Sequence, residues 1–318
     1  MDQLDFETDN GIKARKFGFA WDAYITYARD KQNYSTTNSE NVSIPGSTQT
    51  SFYDGASVAT QLTAGLRGSR SFRPDWAPRP INLRFGGEYR HDTFQMVEGE
   101  ASSWSGMGAT DHPGNVPMAA TYQNRDVYEG NVNLDFYVTK KWEWTLGGRV
   151  GSYNNIATVE TGSVGTRYNF NKRWAIRANV NTGYRPPTLG ALSYFYSAPY
   201  PGYTVDQIPA SSAIAKYLGA GSMKGEYSRS YTIGFDATPI DDFHVTGNLY
   251  YIAINGRMGS TKTYSVNQND SELLSLLKNA NLESATSLSY YANLYNTQTF
   301  GGDFSADYTL HTAKLGQF

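Results

Sequence analysis

The residue types that most often carry chemistry are few and scattered in this chain. His91, His112, His244 and His311 show no HxxxH or HxH spacing, so no metal-ligand pattern emerges. Cysteine is missing altogether, which removes disulfides, thiolate metal sites and a thiol nucleophile. There is no GxSxG elbow, no GxGxxG, no phosphate-binding loop and no DxDxDG calcium loop. A Ser/His hydrolase needs no local motif, because its triad assembles in space. His244, on the polar side of a strand beside a short turn, is the natural base for such a site. The stronger reading is a hydrogen-bonded lumen residue. No catalytic residue, metal site or cofactor is assigned.

Binding is better represented than catalysis. Long loops hold Trp104, Tyr194, Phe195, Tyr196, Tyr200 and Tyr203. Such rings stack on sugars or planar aryl groups and attract cations, or they pack loops together. Trp104, Tyr194 and Tyr196 are the candidates for ligand contact. Arg90 and Arg149 are candidates from the polar faces of strands.

These side chains must be positioned by strands. The 318 residues contain 6 Trp, 25 Tyr, 15 Phe and 31 Gly, with 27 basic against 29 acidic residues and a net charge of -2. The balance argues against nucleic acid as a partner. Mean hydropathy is -0.53, and no apolar run approaches the roughly 18 residues of a transmembrane helix. Period-two alternation dominates instead. In Ile81 to Arg90, Ile81, Leu83, Phe85 and Tyr89 share one face, and Asn82, Arg84, Glu88 and Arg90 the other. The same pattern recurs in Phe17–Ala28, Val58–Leu66, Asn131–Val138, Trp142–Val150, Val164–Phe170, Trp174–Asn181, Ser230–Ala237, Phe243–Tyr251 and Phe300–Leu310. Leu4–Ala14 is a frayed eleventh strand.

Connections alternate in length. Short ones lie at Phe72–Pro80, Thr139–Lys141, Phe170–Arg173, Pro239–Asp242 and His311–Lys314. Long ones cover Asp30–Gly55, Val97–Tyr122, Pro186–Lys224 and Gly256–Asn296, with Tyr153–Ala157 the one brief member of that set. Short turns on one side and long loops on the other mark an antiparallel transmembrane β-barrel. Trp142, Trp144, Phe170, Trp174 and Phe243 beside the short turns would form its interfacial girdle. Arg84, Glu88, Arg90, Asp135, Arg149, Arg177, Asp236, Asp303 and Asp307 would face a wet or plugged lumen. A large soluble sheet with one solvated face is the competing reading. Within the last long loop, Leu273, Leu276, Leu277 and Ala280 predict a helix over Ser271–Leu282, with Asp270 or Ser271 as N-cap, packed over the barrel rim or serving as a lid.

The stretch Gly183-Tyr184-Arg185-Pro186-Pro187-Thr188-Leu189 resembles the Gly-(Phe/Tyr)-Arg-(Ala/Pro)-Pro-(Ser/Thr)-Leu signature of TonB-dependent outer-membrane receptors. It follows a strand and enters a long loop, as in that family. Glu226, Ser230, Tyr231 and Gly234 resemble the family's Glu…Ser…Tyr-x-x-Gly strand, and Tyr250–Ile254 its Tyr-Tyr-Ile-x-Ile strand. Phe300-Gly301-Gly302-Asp303-Phe304 stands where the family has Gly-(Val/Phe)-Glu. The resemblance implies energy-coupled import across the outer membrane of a Gram-negative bacterium. Its substrates would be ferric siderophores, cobalamin or oligosaccharides, its partners outer-membrane lipid and the TonB energy-transducing protein, reached through a plug. Arg185 would either hold the strand end against a carboxylate or reach substrate.

Two departures shape the expectation. The family barrel has 22 strands, and ten or eleven are legible here. The opening MDQLDFETDNG holds no plug, and no basic or apolar leader region; taken literally it points to the cytoplasm, against the rest of the chain. Residues 1–318 are therefore expected to be part of a receptor barrel without its plug, with Leu315–Phe318 opening a further strand. A passive porin-like channel or a small self-closed barrel of ten to twelve strands is the alternative.

Overall fold

The computed structural model describes residues 1–154, 156–200, 203–280, 282–312 and 316–317, without the side chains of 198–200, 203, 311, 312, 316 and 317. Leu315 and Phe318 lie outside the described residues, as do the side chains of Tyr200 and Tyr203. The strands are β1 (Asp2–Lys16), β2 (Phe19–Thr37), β3 (Ser51–Phe72), β4 (Ile81–Val97), β5 (Thr121–Thr139), β6 (Trp142–Tyr153), β7 (Ala157–Asn169), β8 (Trp174–Arg185), β9 (Tyr196–Tyr200), β10 (Tyr203–Ile208), β11 (Glu226–Ala237), β12 (Phe243–Ser260), β13 (Tyr264–Ser265), β14 (Ser287–Tyr308), β15 (His311–Thr312) and β16 (Gly316–Gln317). Short helices α1 (Ala101–Trp104), α2 (Leu189–Ser193), α3 (Ala213–Tyr217) and α4 (Ser271–Asn279) sit in the long connections. No helix among the described residues is long and apolar enough to cross a membrane.

Eleven strands form the wall as an antiparallel meander in the order β1-β2-β3-β4-β5-β6-β7-β8-β11-β12-β14. All eleven strands read from alternation are present, β1 included. The register keeps the two faces apart. One carries Ile25, Leu66, Val132, Leu146, Val164, Val180, Ile233 and Leu249, all exposed. The other carries ion pairs: Arg84 to Asp135 at 2.7 Å, Arg149 to Glu129, and both Arg167 and Arg177 to Asp236. An exposed apolar face opposite a paired polar face is the arrangement of a wall between lipid and a wet lumen. Among the described residues β1 and β14 do not pair, so the sheet does not close on itself; the self-closed small barrel is not what the structure has.

Strands run further than alternation showed. The expected loop Asp30–Gly55 contracts, because β2 and β3 stay paired up to Thr37 and Ser51. β5 starts at Thr121 rather than Asn131, and β14 at Ser287 rather than Phe300. About 9–11 residues cross the bilayer. Beyond it both faces are wet, so the backbone ladder persists while the apolar alternation does not. Phe17, expected on a strand, instead forms the two-residue turn with Gly18, at φ 56° and 77°. The girdle rings lie beside the short turns and touch: Trp142 and Trp144 are 5.5 Å apart and Tyr168 and Phe170 5.0 Å.

Close approach explains one glycine. The Tyr24 ring lies over Gly65, where a Cβ would sit 2.4 Å from it, and the Tyr24 hydroxyl donates to Glu88 and accepts from Arg67 at 2.8 Å. Gly65→Val will therefore push the ring off this pair and destabilise the wall by about 1–3 kcal/mol. Gly221→Val, with nothing near its Cβ, will change little. Urea unfolding in lipid vesicles measures both.

Candidate functional site

The long connections fold onto the end of the wall opposite the short turns. After β8, the chain turns at Pro186 and Pro187 and forms α2, with Thr188 as N-cap accepting from the Ala191 N–H at 3.1 Å. Leu189 is buried, and Gly190 lies against the Phe94 ring of β4. The next segment adds β9 and β10 as a small sheet beside the upper part of β14, with β10 parallel to it. β13 pairs with β14 as well. Over this sheet pack α3 and α4, burying Phe195, Ile208, Ile214, Leu273, Leu277 and Leu288 in one apolar cluster. Asp270 caps α4 by accepting from the Leu273 N–H at 3.0 Å, as expected; the helix ends at Asn279 rather than Leu282. Tyr217 of α3 donates to the same Asp270 carboxylate at 3.0 Å, which raises the Tyr217 pKa.

Arg125 of β5 fastens this assembly to the wall. One guanidinium nitrogen donates to the Pro187 carbonyl at 2.7 Å and the other to Asp92 at 3.2 Å. Arg90 lies 3.2 Å from the same Asp92. Thr188, Leu189 and Gly190 line a cavity of about 1070 Å³ together with Arg90, Asp92 and Arg125. Burial and the charge-assisted bonds make Arg125 a strong fixed point. It escaped the sequence reading because Gln123, Arg125 and Val127 do not alternate apolar with polar. Its partners are 33 and 62 residues away.

The sequence candidates separate into groups. Arg90 belongs to that cavity. Arg149 is held by Glu129 and by the Tyr153 hydroxyl at 3.0 Å, in a network of the wall. Trp104 ends α1 and donates to the Gly99 carbonyl at 3.1 Å, which pins its own loop. Tyr194 and Tyr196 are exposed, and the Tyr194 ring meets Tyr291 edge-on at 5.6 Å. Phe195 between them is core. Within the motif, Gly183 gives room to Ser228, where a Cβ would meet its hydroxyl at 2.5 Å. The Tyr184 ring packs 5.1 Å from Tyr153 and 4.9 Å from Tyr227. Arg185 is exposed and makes no hydrogen bond or ion pair among the described residues. The strand-end tether is Arg125 on Pro187, and the motif supplies its carbonyl. His244 makes its hydrogen bond to the Thr238 hydroxyl at 3.3 Å.

The chain matches the family described as TonB dependent receptor-like, beta-barrel over residues 2–317. It belongs to the TonB-dependent receptors. Solved structures of similar fold include the ferric enterobactin receptor of Pseudomonas aeruginosa, a mutant form (13% identity, TM-score 0.68, 98% of this chain and 42% of that one). The siderophore receptor PirA of Acinetobacter baumannii gives 14%, 0.65, 98% and 43%. The FrpB iron transporter of Neisseria meningitidis gives 13%, 0.58, 96% and 41%. This receptor chain thus spans about two fifths of the length of those proteins. No curated protein matches it.

Two polar groups are buried in the loop assembly. Asp206 of β10 is fully buried, and neither carboxylate oxygen has a hydrogen-bond partner among the described residues. Burial pushes its pKa up. Asp54, the extra residue of the bulge opposite Tyr34 and Ser35, is buried, accepts from Thr36 at 2.6 Å and is raised for the same cause. A carboxyl with a raised folded-state pKa favours folding below its unfolded value, near 3.8, and loses that contribution as pH rises through the folded value. Proteolysis of the loop assembly will therefore slow as pH falls from neutral toward that value. Asp206→Asn will slow it at neutral pH and flatten the pH dependence. A second expectation concerns the tether. Arg125→Met will loosen the segment after Pro187 by about 1.5–3 kcal/mol, read as faster hydrogen exchange in α2, while Arg185→Gln leaves exchange unchanged.

Proposed function

We propose that this chain supplies wall and extracellular loops of an outer-membrane receptor that imports a scarce nutrient with energy from the TonB system. A plug in the lumen would be the part that the transducer pulls. The observation that carries this reading is the cavity beneath the folded loops, lined by Arg90, Arg125 and the Phe94 ring, by the carboxylates of Asp5, Glu7, Asp30 and Asp92, and by Thr188 to Gly190 of the motif segment. Guanidinium groups, carboxylates and an aromatic ring together suit a polar ligand that carries flat rings. Among the family's substrates, ferric siderophores with aryl groups have that chemistry, ahead of cobalamin and oligosaccharides. The ligand of one similar structure, enterobactin bound to the Pseudomonas aeruginosa receptor, is compatible with it.

The paired acids and bases of the inner face have a second role in this reading. They leave a polar, hydrogen-bonding surface for a plug to lie against, and each pair holds its partner without closing the surface to other contacts. Transport, rather than bond-making, is what the site offers.

The test is uptake by cells that lack their own iron receptors and express the gene for this protein. Iron will enter with an aryl siderophore and stop when the energy transducer is deleted. Tyr194→Ala combined with Tyr196→Ala will raise the half-saturating concentration about tenfold, the equivalent of ~1.4 kcal/mol. Uptake that persists without the transducer would make the protein a passive channel.

A further inference from the structure

The cavity beneath the loops has two unlike walls. One row of paired residues crosses its floor: Glu7 on β1, Ala28 on β2, Gln61 on β3, Asp92 on β4 and Arg125 on β5. Neighbouring strands lie about 4.8 Å apart, so β2 and β5 stand about 14 Å apart along the wall.

On the β4–β5 side the cations are engaged. Arg90 and Arg125 each lie 3.2 Å from Asp92. Arg125 is buried, and its terminal nitrogens donate to Pro187 and Asp92, yet its Nε–H has no partner among the described residues. A buried donor left unpaired is costly, and an acceptor on a ligand would relieve it.

The β1–β2 side is the reverse. Asp5 stands directly opposite Asp30 in the ladder, and Glu7 lies on the same face two residues from Asp5. Like charges set opposite each other destabilise a sheet. No ion pair among the described residues reaches any of the three. The donors that do reach Asp5 and Asp30 are neutral amides, Gln3 to Asp5 at 3.0 Å and Gln32 to Asp30 at 3.4 Å. One Asp30 oxygen is shut from solvent without a partner. Arg29, the third cation of the lining, alternates to the other face of β2. An unpaired donor on one wall and uncompensated carboxylates on the other call for a ligand that carries an acceptor at one end and a cation at the other.

We propose that the cavity selects ligands with a cationic amine arm. The ammonium, with its three donors, is taken by Asp5, Glu7 and Asp30, while an acceptor oxygen of the same ligand takes the Arg125 Nε–H. This rests on the receptor reading above and narrows its substrates to iron chelates that carry a free ammonium group.

The probes are a synthetic ferric tris-catecholate bearing one pendant primary amine and the same chelate with that amine acetylated. Binding to the full chain in detergent micelles is read from quenching of its tryptophan fluorescence. The free amine will bind about tenfold more tightly, as one ammonium among three carboxylates warrants. Glu7→Gln with Asp30→Asn will bring it down to the level of the acetylated chelate and leave the acetylated chelate unchanged. Asp307→Asn, at the short-turn end of the same face, will keep the preference. Equal affinity of the two chelates for the unaltered chain overturns the ammonium seat while the receptor reading stands, and a preference that survives the double variant does the same. If neither chelate binds, the aryl-siderophore reading fails and the seat falls with it. A measurement without ligand covers a double variant that does not fold. Asp30→Asn alone will raise the urea midpoint of the chain in lipid vesicles, because it removes one of two opposed charges. A midpoint that does not rise means that the carboxylates are already compensated, and overturns the seat.

Discussion

A wall that crosses lipid has no water to satisfy its backbone, so every N–H and C=O in the apolar layer must find a partner within the wall. The meander answers this with ladders between consecutive strands from β1 to β8 and on to β11, β12 and β14, interrupted only by local bulges among the described residues. All else hangs on those ladders. They fix the register, the register separates the lipid face from the polar face, and the polar face brings Arg167 and Arg177 from neighbouring strands onto one Asp236. A one-residue slip in any pair would exchange the faces and put these charges in lipid.

The ladders also set how the loops are mounted. Above the lipid the strands need no apolar side, yet they continue, because pairing remains the cheapest way to satisfy a backbone that is only partly wet. These extensions raise a scaffold on which α2, β9 and β10 rest. Irregularities there have local purposes. Gly256, at φ 69°, makes the bulge in β12; its N–H donates to the Asn296 side chain at 2.8 Å and its carbonyl accepts from Asn293 at 2.6 Å.

The wall was legible in the sequence, the mouth only partly. Period two survives wherever one face meets lipid, so all eleven strands and the alternation of short and long connections could be read from residue type. It fails above the bilayer, and with it the true ends of β2, β3, β5 and β14. The helix at Ser271 was visible because its leucines are spaced for one apolar face and Asp270 precedes them. The motif from Gly183 to Leu189 was visible as a pattern, but its mechanical partner, Arg125, was not, since nothing local distinguishes it from other arginines. Arg185 drew attention by its position in the motif and proved to be the unattached one. Trp104 and Phe195 drew it by residue type; Trp104 bonds to Gly99 within its own loop, and Phe195 lies in the cap's core.

The apolar cluster beneath α3 and α4 gives the loops a core of their own. Ile208, Ile214, Leu273 and Leu277 are hidden from solvent together with Leu288, which the upper end of β14 supplies. Residues on the outer surface of that cap can thus change identity, one after another, without touching either the cap's interior or the ladders below. Such a protein can drift in what it recognises, or in what recognises it, far faster than it can drift in shape.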